Sequence, residues 1–220
     1  MVKESVADGA VFRDRVACFT RPGSMPPLLR SLCVFCGSRS GTNPAFEAAA
    51  RETGRLLGER GIRLVYGGGS LGLMGAVADG CLAAGGEVIG VIPGFLMDLE
   101  LGHQGVTRLE VVPDMLERKK RMAELSDGFL TLPGGIGTLD ELFEMLTWVR
   151  LGVHQKPNGL LNVDGFYDEL ISFCHRTQVE GGFISAANAE NLIVSTSIPE
   201  LLGRLEDAAR TGPSSYFTAP

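Results

Sequence analysis

From residue 31 onward the chain alternates between two hydrophobic periods. Residues 31–36 (SLCVFC) are a continuous apolar run ending in Gly37-Ser38, the pattern of a buried strand. Residues 44–60 then place Phe46, Ala49, Ala50, Gly54, Leu56 and Leu57 at helical spacing. The alternation continues as strand 62–66, closed by Gly67-Gly68-Gly69, then helix 72–84, strand 87–92, short strand 108–112, helix 114–126, strand 128–132 and helix 138–151. It ends with strand 159–163, helix 167–178, strand 192–195 and helix 199–209. Residues 93–106 are irregular and long for a connection, so this stretch, with Glu100 and His103, is a candidate binding loop. Strands alternating with helices predict an α/β domain whose parallel sheet is covered on both faces. Such sheets bind ligands beyond the carboxyl ends of their strands, at the point where strand order reverses.

The flanks lack this pattern. Residues 1–30 have no period and include the breaker-rich RPGSMPP, so they are expected to be a flexible extension. The domain is expected over 31–211, with 212–220 a flexible tail. No apolar run approaches a membrane span, and the first residues lack the apolar stretch of a secretory signal. The 220 residues are 45% hydrophobic and 21% charged, ordinary for one soluble domain. A net charge of -6 excludes long-range attraction to nucleic acid or anionic membrane, so any bound phosphate must be held by local groups. Five cysteines at irregular spacing suit reduced thiols in a cytoplasm. Cys33 and Cys36 form a C-x-x-C with no second pair or nearby histidines, and residues three apart in a strand point to opposite faces, so no metal is expected.

Three stretches carry chemistry. Gly67-Gly68-Gly69-Ser70-Leu71-Gly72 holds G-x-G-x-x-G between a strand and a helix, with Gly68 and Gly69 as candidate phosphate contacts. The dinucleotide fingerprint also wants an acid closing the next strand, but Glu87 opens that strand, which weakens an NAD reading. Packing of helix on sheet is the bland alternative. The second stretch, Pro133-Gly134-Gly135-Ile136-Gly137-Thr138-Leu139-Asp140-Glu141, follows a strand and opens a helix, where backbone N–H groups and the helix dipole favour an anion. Glu141 has two readings here. It completes a capping box with Thr138 as cap, or it binds ribose hydroxyls and activates water. The third is Met115-Leu116-Glu117-Arg118-Lys119-Lys120-Arg121-Met122. At about 100° per residue, Arg118 and Lys119 share one broad arc with Met115, Leu116, Met122, Ala123 and Leu125, whereas Lys120 and Arg121 fall outside it. An inward guanidinium needs a carboxylate or phosphate, which singles out Arg118; the bland alternative is a structural acid as its partner. His103, His154 and His175 are too scattered for a metal, Trp148 and Phe143 read as core, and no G-x-S-x-G elbow supports a serine nucleophile.

P-G-G-x-G-T-x-x-E at 133–141, preceded by E-R-K at 117–119, resembles the LOG (LONELY GUY) family. Val34-Phe35-Cys36-Gly37-Ser38, Tyr66-Gly67-Gly68-Gly69, Gly72-Leu73-Met74-Gly75, Thr147-Trp148 and the stretch from Lys156-Pro157 to Tyr167 support it, over roughly residues 31 to 205. The resemblance implies a Rossmann-like doubly wound sheet, a cytoplasmic homodimer without cofactor, and hydrolysis of N6-substituted adenosine 5'-monophosphates, with AMP as a further substrate, to base and ribose 5-phosphate. Position by position it implies Arg118 and Glu141 as the catalytic pair. It implies substrate contacts at Glu100, Lys119, Gly134, Gly135, Ile136, Gly137, Thr138, Leu139, Asp140 and Thr147; Gly37, Ser38, Gly68 and Gly69 join them as loop contacts. Asp140 stands where plant members usually have Glu. The rivals are a nucleotide or molybdenum-cofactor carrier of the same fold without turnover and, more distantly, a nicotinamide oxidoreductase. A lysine decarboxylase label that the family has carried is rejected, because Lys3, Lys119, Lys120 and Lys156 are the only lysines and none lies in a recognisable pyridoxal phosphate motif.

Overall fold

In a computed structural model of the chain, residues 29–97 and 102–211 are described. Seven strands, all parallel, form one sheet in the order β4-β3-β2-β1-β5-β6-β7. They are β1 (Ser31–Phe35), β2 (Arg63–Tyr66), β3 (Val88–Pro93), β4 (Arg108–Val112), β5 (Gly128–Thr131), β6 (Asn158–Leu161) and β7 (Leu192–Ser195). The helices are α1 (Pro44–Glu59), α2 (Gly72–Ala83), α3 (Met115–Glu124), α4 (Ile136–Arg150), α5 (Asp168–Ser172), α6 (Ala186–Ala189) and α7 (Ile198–Thr211). This is the doubly wound, Rossmann-like α/β fold that the alternating pattern and the resemblance imply.

Burial on both faces explains why β1 reads as a continuous apolar run. Leu32 and Val34 pack with α1, α2 and α7, while Cys33 and Phe35 pack with Met122 and Ala123 of α3 and Met145 of α4. Cys36 lies with the first group, so the two cysteines of the C-x-x-C do face opposite ways. α1 starts at Pro44 with Asn43 as its cap, the Asn43 Oδ1 accepting from the Ala45 N–H at 2.9 Å. It lies against α2 so closely that a side chain at Gly54 would collide with the Val77 carbonyl.

Three expectations change. Leu29 is buried in the core and the Arg30 N–H donates to Asp127 Oδ2 at 3.0 Å, so the packed chain begins two residues before 31; the rest of the extension and the tail lie outside the described residues. The helix expected over 167–178 is a short α5 followed by a π-helical stretch, Phe173–Val179. α4 begins at Ile136 rather than at 138. No helix among the described residues is long and apolar enough to cross a membrane.

Candidate active site

The order of strands reverses between β1 and β5: the chain runs outward from β1 through β2 and β3 to β4, then returns to β5 and runs the other way. The loops leaving these two neighbours diverge and open a crevice at the carboxyl end of the sheet. A cavity of about 270 Å³ lies there, lined by residues 37–41 after β1, by 133–135 after β5, and by Phe46, Leu73 and Phe166. The Gly37 N–H donates to the Pro133 carbonyl at 3.1 Å and ties the two loops together. This approach needs glycine at 134, where a Cβ would collide with Thr138 Oγ1 and stand 2.9 Å from the Gly37 nitrogen.

The cap of α4 is Gly135, which has no side chain to satisfy the first turn. Leu139 donates back to the Gly135 carbonyl at 3.1 Å, and the N–H groups of Ile136, Gly137 and Thr138 precede the point where intrahelical bonding begins. Thr138 is buried inside the helix, in its first turn, so it cannot cap it. The capping-box reading of Glu141 therefore fails. The helix starts earlier than the apolar period suggested, because Gly135 and Gly137 carry no hydrophobic signal. Glu141 is only 9% exposed, one turn further in.

Arg118 comes from α3, whose cap Asp114 accepts the Glu117 N–H at 2.9 Å. Its guanidinium is 5% exposed and donates from Nη2 to the Gly67 carbonyl at 2.9 Å. Both Arg118 and Glu141 act on the thiols at the end of β1. Burial pushes Cys33 and Cys36 up, the Glu141 carboxylate pushes them further, and Arg118 pulls them back. The structure thus brings the two opposite charges to one end of β1, and the inward phase of Arg118 is borne out by its burial. Met115 and Leu116, which share the arc of Arg118, are exposed instead, so the arc is not buried along its whole length.

Lys119 is partnered across the helices, its Nζ 3.0 Å from Asp140 and 2.9 Å from Glu144 of α4. Burial works against its charge, but those two carboxylates outweigh burial and raise the ammonium. Thr147 is exposed on α4, where its hydroxyl donates to the Phe143 carbonyl at 2.7 Å, and it does not join the cluster. Glu100 lies outside the described residues. Gly68 and Gly69 are buried under the segment that returns from the 93–106 loop: the Gly68 carbonyl accepts from the His103 N–H at 2.9 Å and Gly69 bridges to Gly102. At the start of α2, the N–H groups of Leu73 and Met74 donate to the Gly37 carbonyl at 3.1 and 3.3 Å. Those donors are occupied, whereas α4 starts on Gly135 with no side-chain cap. Arg39 and Phe166, both in the cavity wall, were missed in the sequence; Phe46 was read only as a core position. The available signal for Arg39 was a cation directly after Gly37-Ser38 at a strand end.

Among the described residues, no lysine is placed to form a Schiff base in the cavity. Lys119 is held by two carboxylates and Lys120 reaches Glu117 at 3.5 Å. Lys156 precedes β6, at the far end of the sheet from the cavity, and donates to the Ala123 carbonyl at 2.6 Å.

Comparison with known proteins places the chain in a family. Residues 74–205 match the family profile described as possible lysine decarboxylase. The cytokinin riboside 5'-monophosphate phosphoribohydrolase LOG of Oryza sativa subsp. japonica is 50% identical over 179 residues, 81% of this chain and 73% of that protein. An Arabidopsis thaliana enzyme of the same name is 50% identical over 177 residues, covering 80% of this chain and 81% of its own. Among solved structures, the molybdenum cofactor binding protein of Rippkaea orientalis superposes with a TM-score of 0.63 at 22% identity, over 81% of this chain and 96% of that one. The molybdenum cofactor carrier protein of Chlamydomonas reinhardtii gives 0.62 at 21%, over 81% and 97%. At such identities the structures speak for the fold alone, whereas the plant sequences match across the site and its flanks, and the chain belongs to the LOG family of cytokinin riboside 5'-monophosphate phosphoribohydrolases.

Proposed function

We propose that this protein hydrolyses the N-glycosidic bond of N6-substituted adenosine 5'-monophosphates, and of AMP, releasing the base and ribose 5-phosphate. The observation that carries this reading is the burial of Arg118 and Glu141 against the same end of β1, beside a helix start without a side-chain cap. The names of the plant relatives support the same substrate class.

The phosphate sits at the start of α4, where the N–H groups of Ile136, Gly137 and Thr138 and the helix dipole favour an anion. Gly37 and Ser38 complete that wall of the cavity. As the C1'–N9 bond breaks, its electron pair leaves with the base and positive charge builds on the ribose. Water adds its oxygen to C1', one of its protons ends on the base, and the other stays on the new C1' hydroxyl. Glu141 holds the ribose hydroxyls, stabilises the charge and orients the water. Arg118 sets an opposite charge beside Glu141 and fixes its orientation. The working form is a cytoplasmic homodimer.

The test is incubation with N6-isopentenyladenosine 5'-monophosphate and with AMP, assayed for ribose 5-phosphate. Nucleotides are cleaved and the matching nucleosides are barely touched. Glu141→Gln keeps shape but removes charge, so turnover falls at least ~100-fold with a near-native melting temperature. Tight nucleotide binding without any ribose 5-phosphate would instead favour the carrier reading.

A further inference from the structure

We infer that Asp79 and His103 are positioning residues that together fix the first glycine loop, whose Gly67 carbonyl holds Arg118; the inference rests on the hydrolase reading of that arginine. The loop's own sequence does not fix it. Three consecutive glycines have the widest choice of backbone conformations, and Gly68 takes a left-handed one, with φ at 81°. The Gly67 carbonyl must nevertheless stand in one place, because the buried Arg118 donates to it from Nη2 at 2.9 Å. The segment that returns over the loop supplies the restraint. The His103 N–H donates to the Gly68 carbonyl at 2.9 Å, and Gly102 forms an antiparallel bridge with Gly69.

That segment is held in turn from α2. The Gly105 N–H donates to His103 Nδ1 at 3.1 Å. A backbone N–H can only donate, so Nδ1 accepts and Nε2 carries the proton of the ring. Nε2 therefore donates to Asp79 Oδ1, 3.0 Å away. Asp79 lies within α2, whose first-turn N–H groups at Leu73 and Met74 are bonded to the Gly37 carbonyl, so the carboxylate stands on a fixed base. An Asp–His pair in open solvent contributes little. Here the Asp79 side chain is 53% exposed, but that of His103 is only 14% exposed, and the same residue carries the bond to Gly68. A continuous path of hydrogen bonds and peptide bonds thus runs from Asp79 through His103, Gly68 and Gly67 to Arg118. Without the carboxylate, the imidazole loses its outer partner and the glycine run regains its backbone freedom.

The experiment measures hydrolysis of N6-isopentenyladenosine 5'-monophosphate by wild type, Asp79→Asn, Asp79→Ala, His103→Ala and the Asp79→Ala/His103→Ala double variant, each well below its melting temperature. Asp79→Ala lowers kcat about 10-fold and leaves KM within about 3-fold, because the phosphate subsite at α4 does not depend on this clamp. Asp79→Asn, whose amide oxygen still accepts from His103, recovers most of the loss, and the double variant loses no more than the worse single one. An unchanged kcat in Asp79→Ala overturns the inference. So does an Asp79→Asn variant as slow as Asp79→Ala, or two single losses that multiply in the double. A wild-type protein that releases no ribose 5-phosphate overturns the hydrolase reading instead. The clamp is then judged by hydrogen exchange of the His103 amide: exchange at least ~10-fold faster in Asp79→Ala supports it, and unchanged exchange overturns it.

Discussion

Gly67 has no side chain because the Arg118 guanidinium occupies the space one would fill. A methyl group there displaces the end of a flexible side chain rather than backbone, so the fold tolerates it while the geometry of Arg118 does not. Gly67→Ala is expected to lower turnover at least ~10-fold with little loss of melting temperature; normal turnover would mean that Arg118 need not stand where it does. The inward phase of Arg118 was legible from its spacing to Met122 and Ala123. The exposure of Met115 and Leu116 was not, because phase says which side of a helix faces a sheet but not how far the sheet extends beneath it.

At the scale of elements, α3 and α4 carry one catalytic candidate each, and Lys119 joins the helices through Asp140 and Glu144. Removing the ammonium leaves two acids near each other without a counter-charge. Lys119→Ala is expected to cost about 1–3 kcal/mol, or roughly 2–12 °C in melting temperature, more than an exposed pair would. An unchanged Tm would show that the bridge contributes no more than a solvated ion pair. α1 and α2 meet through small residues instead. A side chain at Gly54 strikes the backbone of Val77, which cannot swing away as an arginine can. Gly54→Ala should destabilise by at least about 1–3 kcal/mol, measured by denaturant midpoint, despite the higher helix propensity of alanine.

Across the whole molecule, the end of the sheet opposite the cavity holds a titrating core. His154 packs against Phe129 at 5.2 Å and Trp148 at 6.2 Å between ring centroids. Burial, with a smaller contribution from Lys156, brings its imidazole down to about 4. The folded value lies below the unfolded one of about 6.5, so the unfolded chain binds the proton first. The stabilisation from His154 is complete above pH ~6.5 and is lost as pH falls toward 4, up to ~3 kcal/mol in all. His154→Phe keeps ring packing and removes the proton site, so its stability should vary less between pH 6.5 and 4 than that of wild type. Parallel acid limbs in the two proteins would assign the loss to other groups.

The sequence by itself determined the alternation of strands and helices, because burial on one face or two imposes a period that needs no knowledge of neighbours. It also marked candidate binding loops, since the glycine clusters fall where strands end, and it singled out Arg118 and Glu141 as a candidate pair. Only the tertiary structure shows how the two glycine loops differ. The donors at the start of α2 are satisfied by the Gly37 carbonyl, a residue 36 and 37 positions earlier in the chain than Leu73 and Met74, while the start of α4 has only a glycine cap. It likewise decided that Thr138 is inside α4 and not its cap, so the two residues form no capping box. Hydrogen-bond partners brought from distant strands are set by sheet order, and sheet order is a property of the assembled fold rather than of any local stretch.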